Sequence, residues 1–305
     1  GHLALLAAAL GEDRGLPVSL VVHGQRSGRT LAGGRRLEAV RAELEGETEE
    51  LLDELRPQVV LNAIALPSLA ACEEEPDAAR ALNVDFPERI AGWTDRNNAR
   101  FVHVSTDLVF GGRPPRSIGY TEDDPAEPLS VYGASKLRGE RRVLEANPLA
   151  VVCRLPLLFG PSAPNSFGEK GTRPRGASET VLDAARAGRE LRLFRDEFRT
   201  PLDVESAAHA LLELADRGTR GLLHLAGPTR MSRVALGEAV LRSAGWTAEA
   251  TAQAITVTTR AEAGEDFARI RPADVSLDAS RARALLDEDL PDPFEALADR
   301  VDGQG

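Results

Sequence analysis

The chain of 305 residues predicts an α/β fold built on a doubly wound parallel sheet, and three observations support this. Apolar runs rich in Val, Ile and Leu alternate with stretches of helical periodicity over most of the chain. Several of these runs are apolar at nearly every position, as strands buried on both faces are. After residue 226 the alternation weakens and helical patterns dominate, which predicts a smaller, mainly helical C-terminal lobe.

The predicted elements follow one another as repeated strand and helix units. The apolar runs predict strands at Val18–Gly24, Val40–Leu44, Gln58–Ala65, Arg100–Phe110, Leu149–Gly160 and Gly221–Ala226. Helical periodicity predicts helices at Thr48–Arg56, Pro76–Asn97, Ser130–Asn147, Ser178–Gly188, Val204–Arg217 and Ser232–Gly245. Parallel strands bring their carboxyl ends to one edge of the sheet, where ligands bind in such folds.

The sequence begins directly in a helical pattern at Gly1-His2-Leu3, without a preceding strand. A doubly wound sheet that binds a dinucleotide ordinarily opens with a strand and a glycine-rich turn. We therefore expect an N-terminally truncated fold that lacks its first strand, with Gly1 as the one phosphate-loop glycine that is left.

Composition and charge exclude several classes of protein. The formal net charge of −11 and the pI of about 5.1 argue against a nucleic-acid or anionic-membrane partner. The sequence contains no apolar run of about 18 residues, the length that a membrane span needs. The two cysteines, Cys72 and Cys153, lack metal-ligand spacing and fit a reducing compartment without disulfides. We expect a cytoplasmic protein without a metal site.

The segment after the strand Val18–Gly24 is basic. It carries Arg26 and Arg29 and no acidic residue. At this place a dinucleotide fold usually has an Asp or Glu for a free ribose 2′-hydroxyl, or an Arg for a 2′-phosphate. The segment therefore favours NADP over NAD, with Arg26 and Ser27 as contacts. The alternative is a solvated basic turn, which is common.

Tyr132-Gly-Ala-Ser-Lys136 is the most informative motif. Among 37 basic residues the sequence has two lysines, Lys136 and Lys170, and it has two tyrosines, Tyr120 and Tyr132. Residues at i and i+4 share a helix face, so the phenol and the ammonium can point into one site. A nearby cation favours phenolate, which makes Tyr132 a proton donor or acceptor for a carbonyl and alcohol pair. The alternative is an exposed helix on which both residues are incidental.

Small and polar side chains stand at the ends of two predicted strands. Asn62-Ala63-Ile64-Ala65 would let a flat cofactor approach the backbone, although ordinary tight packing explains small residues equally well. Ser105-Thr106-Asp107 places hydroxyl groups at the end of a buried strand, and a hydroxyl there can hydrogen-bond the same substrate oxygen as Tyr132. The alternative for this second group is a cap of the following turn.

These motifs, together with others in the same order, resemble a known family. The chain is similar to the extended short-chain dehydrogenase/reductases (the NAD-dependent epimerase/dehydratase superfamily), and within them to the dTDP-4-dehydrorhamnose reductase, or sugar nucleotide-binding, group. The resemblance covers nearly the whole chain and is carried by Arg56–Ala65, Ala81–Val84, Val104–Gly111, Pro128–Glu140, Cys153–Gly160, Phe194–Pro201, Gly221–Gly227 and Arg271–Asp278.

The resemblance implies a Rossmann-like dinucleotide-binding domain over residues 1–160, whose sheet is rejoined by about 198–228, and a substrate-binding lobe over 161–305. It implies NADPH as cofactor, with NADH as the alternative, a nucleotide-sugar substrate and a homodimer. The implied catalytic residues are Thr106, Tyr132 and Lys136. The expected cofactor contacts are Gly1, Arg26, Ser27, Asn62, Ala63, Ala65, Asn83, Ser105, Tyr132, Lys136 and Leu155. The expected substrate contacts are Asp107, Asn165 and Arg199.

Three functions are compatible with this resemblance. The first is an NADPH-dependent reductase of a nucleotide-linked 4-keto-6-deoxysugar, in which Tyr132 supplies the proton. The second is an epimerase or dehydratase of a nucleotide sugar, which Asp107 leaves open. The third is a non-catalytic regulatory subunit like that of methionine adenosyltransferase. The run Leu66-Pro67-Ser68 and the basic insert 161–175 depart from the family pattern and leave the sugar open, and a truncated chain could itself be inactive.

Overall fold

The computed structural model describes residues 3–4, 7–8, 11, 20–22, 28–32, 35–41, 46–112, 119–160 and 176–302. In this part of the chain the strands are β1 (Leu20–Val22), β2 (Gly28–Ala32), β3 (Arg35–Arg41), β4 (Val59–Asn62), β5 (Arg100–Thr106), β6 (Val151–Leu155), β7 (Leu158–Phe159), β8 (Leu191–Phe194), β9 (Phe198–Arg199), β10 (Leu202–Asp203), β11 (Gly221–His224), β12 (Met231–Ser232) and β13 (Ile255–Thr258).

The helices of the described residues follow the same alternation. They are α1 (Glu47–Leu55), α2 (Leu69–Glu74), α3 (Pro76–Arg80), α4 (Phe86–Arg96), α5 (Val131–Ala146), α6 (Ala177–Arg186), α7 (Val204–Arg217), α8 (Arg233–Ser243), α9 (Ala248–Ala254), α10 (Glu265–Ile270), α11 (Ser280–Arg283) and α12 (Pro293–Asp302). A π-helical turn, Ala81–Asp85, joins α3 to α4, and a 3₁₀ turn, Asp107–Val109, follows β5. None of the described helices is long and apolar enough to cross a membrane.

Four parallel strands form the central sheet, in the order β11-β6-β5-β4. The register pairs Asn62 with His103 and Thr106 with Leu155, so the carboxyl ends of β4, β5 and β6 lie along one edge. Strands β5 and β6 are almost entirely buried, because helices cover both faces of the sheet. The predicted α/β fold with a parallel sheet is confirmed.

Smaller sheets surround the central one. Strand β3 pairs in parallel with β1 and antiparallel with β2. The pairs β10 with β7 and β13 with β8 are parallel, and β12 pairs antiparallel with β9. A large apolar cluster joins the central sheet to α7, and a second one packs α6 and α8 against β8 and β13. A third lies under α4 and α5 on the opposite face.

Several predicted boundaries were wrong. The helix expected over Pro76–Asn97 is interrupted by the π-helical turn, because Pro87 has no N–H to donate to the carbonyl of residue 83. The predicted strand Arg100–Phe110 ends at Thr106, and Leu149–Gly160 is divided into β6 and β7. The strand expected at Val40–Leu44 is found at Arg35–Arg41, and Arg29, expected in a basic turn, lies in β2.

Helix α5 approaches the backbone of its neighbours at two glycines. A Cβ atom on Gly133 would lie 2.2 Å from the carbonyl oxygen of Leu108, in the turn after β5. A Cβ atom on Gly139 would lie 2.1 Å from the carbonyl oxygen of Asn83, in the π-helical turn. Both distances are far below van der Waals contact, so only glycine permits this approach. The two contacts therefore fix the position of the helix along the sheet.

We expect Gly139→Ala to lower the free energy of unfolding by about 1–3 kcal/mol, because the added methyl group meets backbone atoms that cannot rotate away. The matched control is Gly92→Ala in α4, where the new Cβ meets the flexible side chain of Arg96 at 3.3 Å. That substitution should stabilise the protein by up to about 1 kcal/mol through helix propensity. Urea unfolding measures both, and equal gains for the two variants would contradict the close contact.

Candidate active site

Thr106 and Tyr132 meet at the carboxyl edge of the central sheet. Strand β5 ends at Thr106, whose Oγ1 accepts a hydrogen bond from the N–H of Leu108 at 3.2 Å and so starts the 3₁₀ turn. The Tyr132 side chain lies near enough to Thr106 for the two hydroxyl groups to interact, while Oγ1 of Thr106 donates to Oδ1 of Asp107 at 3.2 Å. The structure therefore brings a strand-end hydroxyl and a helical phenol into one site, as the motif spacing predicts.

The start of helix α5 sets the direction of Tyr132. Ser130 caps the helix by accepting a hydrogen bond from the N–H of Gly133 at 3.1 Å. The free N–H of Val131 donates to Oε1 of Glu73, in helix α2, at 2.8 Å. These two bonds place Tyr132 in the first turn of the helix and Lys136 in the next turn on the same face.

Lys136 is buried against strand β5. Its Nζ donates to the carbonyl oxygen of Val104 at 2.7 Å and lies 3.3 Å from Nε2 of His103. Burial lowers the pKa of Lys136 to about 8, and Glu140, one turn further along the helix, opposes this shift. The side chain is therefore close to losing its proton at mildly basic pH.

The phenol of Tyr132 holds its proton firmly in this structure. Burial raises the pKa of Tyr132 above its usual range, the neighbouring hydroxyl of Thr106 offsets part of the shift, and the charge of Asp107 adds to it. The expected lowering of this pKa by Lys136 is not what the structure shows, because the ammonium is turned toward Val104 and His103. Tyr132 is thus a protonated group, suited to donate rather than to accept a proton.

Asp107 and Arg199, both expected to contact substrate, form a buried ion pair beside Thr106. Nε of Arg199 lies 3.2 Å from Oδ2 of Asp107, and its Nη2 lies 3.2 Å from Oε1 of Glu197. Burial raises the pKa of Asp107 to about 6, and Arg199 opposes this shift. Oδ2 of Asp107 and Oε2 of Glu197 are buried and accept no hydrogen bond from the described residues, so the two carboxylates are held mainly by their ion pairs with Arg199.

A second buried network ties the helix to the sheet. Ser105 donates to Oε1 of Glu140, and Arg154 in β6 donates to the two oxygens of Glu140 at 3.0 and 2.7 Å. Nε2 of His224 lies 3.4 Å from Arg154, and burial lowers the pKa of His224 to about 3, so this ring is neutral. Ser105, expected beside the cofactor, thus has its hydroxyl committed to Glu140, and Thr106 contacts Tyr132.

The loop after β4 is held by a buried asparagine, as expected for a residue that supports the site. Asn83 accepts a hydrogen bond from the N–H of Leu66 at 2.8 Å and donates to the carbonyl oxygen of Leu66 at 3.2 Å. It also donates to Oγ of Ser135 in α5 at 3.0 Å. The loop residues Ala63 and Ala65 are partly exposed.

The other predicted contacts divide into two groups. Leu155 is buried in the large apolar cluster, directly opposite Thr106 in the register. Gly1, Arg26, Ser27 and Asn165 lie outside the described residues. Sequence reasoning missed several buried charged or polar residues that border the site: His103, Glu140, Arg154 and Glu197. A signal existed for two of them, since His103 is polar within an apolar strand and Glu140 is one turn beyond Lys136.

A cavity of about 740 Å³ opens elsewhere, between helix α7 and the segment 286–291. Its lining includes Asp203, Glu213, Asp216 and Asp287, with Arg217 as a basic member. A lining dominated by carboxylates repels anionic ligands such as phosphates. Within the described ranges, no group of three or more His, Cys, Asp or Glu side chains is placed to hold a metal ion.

Comparison with known proteins gives a consistent result. The family model described as "RmlD substrate binding domain" matches residues 9–303. A probable low-salt glycan biosynthesis reductase of Haloferax volcanii is 33% identical over 196 residues, which cover 64% of this chain and 63% of that protein. A dTDP-4-dehydrorhamnose reductase of Mycobacterium tuberculosis is 35% identical over 193 residues, 61% of this chain and 59% of that protein. The chain thus spans less than two thirds of these relatives.

Solved structures show the same fold. A hypothetical dTDP-4-dehydrorhamnose reductase from Sulfolobus tokodaii superposes with a TM-score of 0.75 and 26% identity, over 95% of this chain and 93% of that chain. Structures that hold NADP or NAD superpose with TM-scores of 0.74 and 0.75 at 19% and 20% identity, a likeness that concerns the fold alone.

We expect Arg154→Met to cost about 3–5 kcal/mol of unfolding free energy, because it leaves the carboxylate of Glu140 buried without its cation. Both side chains are at most 4% exposed. Adding Glu140→Gln should recover most of the loss, since the second charge is then gone. The matched control is Arg142→Met, whose exposed pair with Glu145 is worth less than about 1 kcal/mol. If urea unfolding gave equal losses for Arg154→Met and Arg142→Met, the network would have no structural role.

Proposed function

The chain belongs to the RmlD substrate binding domain family, and we propose that it is a nicotinamide-dependent reductase of a nucleotide-linked 4-keto-6-deoxysugar. The observation that carries this proposal is the proximity of the Thr106 and Tyr132 side chains at the carboxyl edge of the sheet, with Lys136 one helical turn away. Two hydroxyl groups that can share one carbonyl oxygen, with a lysine on the same helix face, suit carbonyl reduction. The names of the relatives, both of them reductases, support the same reaction.

The residues at the sheet edge fit a nicotinamide cofactor. Ala63 and Ala65 are small and partly exposed, so a flat ring can approach the backbone there, and Lys136 offers donors for ribose hydroxyls. When bound, the cofactor supplies a hydride to the keto carbon. We propose NADPH as the donor, with NADH as the alternative. In this proposal residues 1–160 bind the cofactor and residues 161–305 bind most of the substrate.

Tyr132 would act as the proton donor. Its raised pKa keeps the phenol protonated until a keto oxygen arrives, and that oxygen then receives the proton while the hydride arrives at carbon. Thr106 would hydrogen-bond the same oxygen and fix its position. One hydride and one proton convert the ketone to an alcohol. Asp107 and Arg199 lie next to Thr106 and would orient the sugar hydroxyls.

The properties of Asp107 support a second candidate function. Asp107 adjoins Thr106, interacts electrostatically with Tyr132, and has a pKa raised to about 6 by burial. A carboxyl that titrates near neutrality is a suitable acid or base for epimerisation or dehydration of a nucleotide sugar. The ion pair with Arg199 opposes this role, because it holds the carboxylate in place and stabilises its charged form.

The experiment that separates these functions follows NADPH oxidation by absorbance, with dTDP-4-keto-6-deoxyhexose as acceptor. Stoichiometric oxidation of NADPH with formation of a dTDP-6-deoxyhexose supports the reductase. No net oxidation, with solvent deuterium appearing in the sugar, supports epimerisation or dehydration. Tight NADPH binding with neither change would overturn catalysis on this substrate and favour the regulatory alternative.

We expect Tyr132→Phe to lower kcat by at least about 100-fold and to leave the Kd for NADPH within about twofold, because only the proton donor is removed. The matched control is Tyr120→Phe. Tyr120 stacks on Phe110 in the core, with ring centroids 4.1 Å apart, and phenylalanine preserves that stack. Steady-state rates and fluorescence titration with NADPH measure both effects. Equal rate losses in the two variants would place Tyr132 in a structural role.

A further inference from the structure

A chain of hydrogen bonds with a fixed direction leads to Lys136. It begins where the N–H of Ile64 donates to Oδ1 of Asn62 at 3.1 Å. That bond commits the oxygen of the side-chain amide as an acceptor and fixes which way the amide points. The other end, Nδ2 of Asn62, lies 3.1 Å from Nδ1 of His103. Because Nδ2 can only donate, Nδ1 of His103 must accept.

The orientation of Asn62 therefore sets the tautomer of His103. This ring is fully buried, and burial together with the charge of Lys136 lowers its pKa well below the ordinary value, so it is neutral. A neutral imidazole carries one N–H group. Since Nδ1 accepts from Asn62, the hydrogen is on Nε2.

The N–H of His103 then faces Lys136. Nε2 lies 3.3 Å from Nζ, and Nζ itself donates to the carbonyl oxygen of Val104 at 2.7 Å. An ammonium at this place would oppose one donor with another, whereas a neutral amine accepts from Nε2 and still donates to Val104. All four hydrogen bonds of this series, from the N–H of Ile64 to the carbonyl oxygen of Val104, have a donor and an acceptor only when Lys136 is neutral.

We propose that Asn62 and His103 are positioning residues that orient the side chain of Lys136 and favour its neutral amine in the free protein. The functional part of this inference rests on the proposed reductase. The charge of Lys136 in the free protein does not depend on it.

The groups around Lys136 act in both directions. Glu140, from the same helix, favours the ammonium, but its carboxylate is already bound by Arg154 from β6 and by Ser105 from β5. His103, from β5, favours the amine, as burial does. Tyr132 shares the helix face and is protonated, and Cys72 from α2 lies beside Tyr132 with a raised thiol pKa, so neither adds a charge.

This arrangement has a consequence for the proposed reaction. Tyr132 leaves a phenolate when it gives up its proton, and a cationic Lys136 stabilises that phenolate. As the pH rises through the pKa of Lys136 the cation is lost while the phenol stays protonated. The rate of reduction should therefore fall on the basic side with the titration of the lysine.

The test uses the fact that the sequence has two lysines. In a Lys170→Arg variant labelled with ¹³C at the lysine Cε, a single lysine signal reports the charge of Lys136 in the free protein. We expect an inflection between pH 7.5 and 8.5, roughly two units below that of an ordinary lysine. An inflection near 10.4, the ordinary value, would overturn the proposal.

Substitution of Asn62 tests the direction of the chain. In Asn62→Ala, Nδ1 of His103 no longer has to accept a hydrogen bond, so the ring can carry its hydrogen on Nδ1 and accept from an ammonium at Nε2. The pH of the lysine inflection should then rise by about one unit. Asn62→Asp preserves the shape of the side chain but changes the direction of the hydrogen bond to His103, since a carboxylate accepts from both Ile64 and Nδ1 of His103. The pH of the lysine inflection should then rise further. ¹⁵N shifts of the histidine rings report the change of tautomer directly.

The matched control is Asn83→Ala. Asn83 is also buried and also joins the loop after β4 to helix α5, but it bonds Leu66 and Ser135 and not His103. It should leave the lysine inflection within about 0.3 units. Equal shifts in the Asn62 and Asn83 variants would overturn the proposal. Because the readout is the lysine signal without cofactor or substrate, a failure of the proposed reductase reaction leaves the result unaffected.

Discussion

The buried ion pair between Arg154 and Glu140 is the interaction on which the geometry of the site depends. Glu140 lies on the helix that carries Tyr132 and Lys136, and Arg154 lies on a central strand, so the pair joins the two elements that must meet. Ser105, next to Thr106, completes the same network. A buried charge without its partner is costly, so the pair defines one relative position of helix and sheet rather than adding much stability of its own. The distance between the phenol and the strand-end hydroxyl follows from that position.

The same burial gives the site its chemical character. It raises the pKa of Tyr132, raises that of Asp107 to about 6, and lowers that of Lys136 to about 8, so each group is moved toward its neutral form. Two ion-paired networks border the site, one around Arg199 and one around Arg154. The free protein thus holds its reactive groups with little net charge between two clusters of paired charges, and small electrostatic changes at the site have large effects there.

Much of the architecture could be predicted from the sequence, because continuous apolar runs and the 3.6-residue period are local signals. The parallel sheet, helix α5 and the meeting of Thr106 with Tyr132 follow from spacing and topology. The π-helical turn could not be predicted from periodicity, because it depends on the missing N–H of Pro87 within an unbroken helical pattern. The roles of His103 and Arg154 were also missed, because a polar residue in a buried strand reveals its partner only when strands and helix are assembled. The pairing of β8 with β13 joins segments more than 60 residues apart and leaves no local trace.

The two backbone contacts of helix α5, at Gly133 and Gly139, restrict substitution in the helix and its neighbouring turns more than in the surrounding loops. Helix α5 touches carbonyl oxygens in its first turn and at its middle, which restricts its rotation and sliding, so Tyr132 and Lys136 keep their positions relative to the strands beneath them. Insertions and exchanges in the surrounding loops leave that arrangement in place. Substitutions in the surrounding loops can therefore change what lies around Thr106 and Tyr132 without moving these two residues.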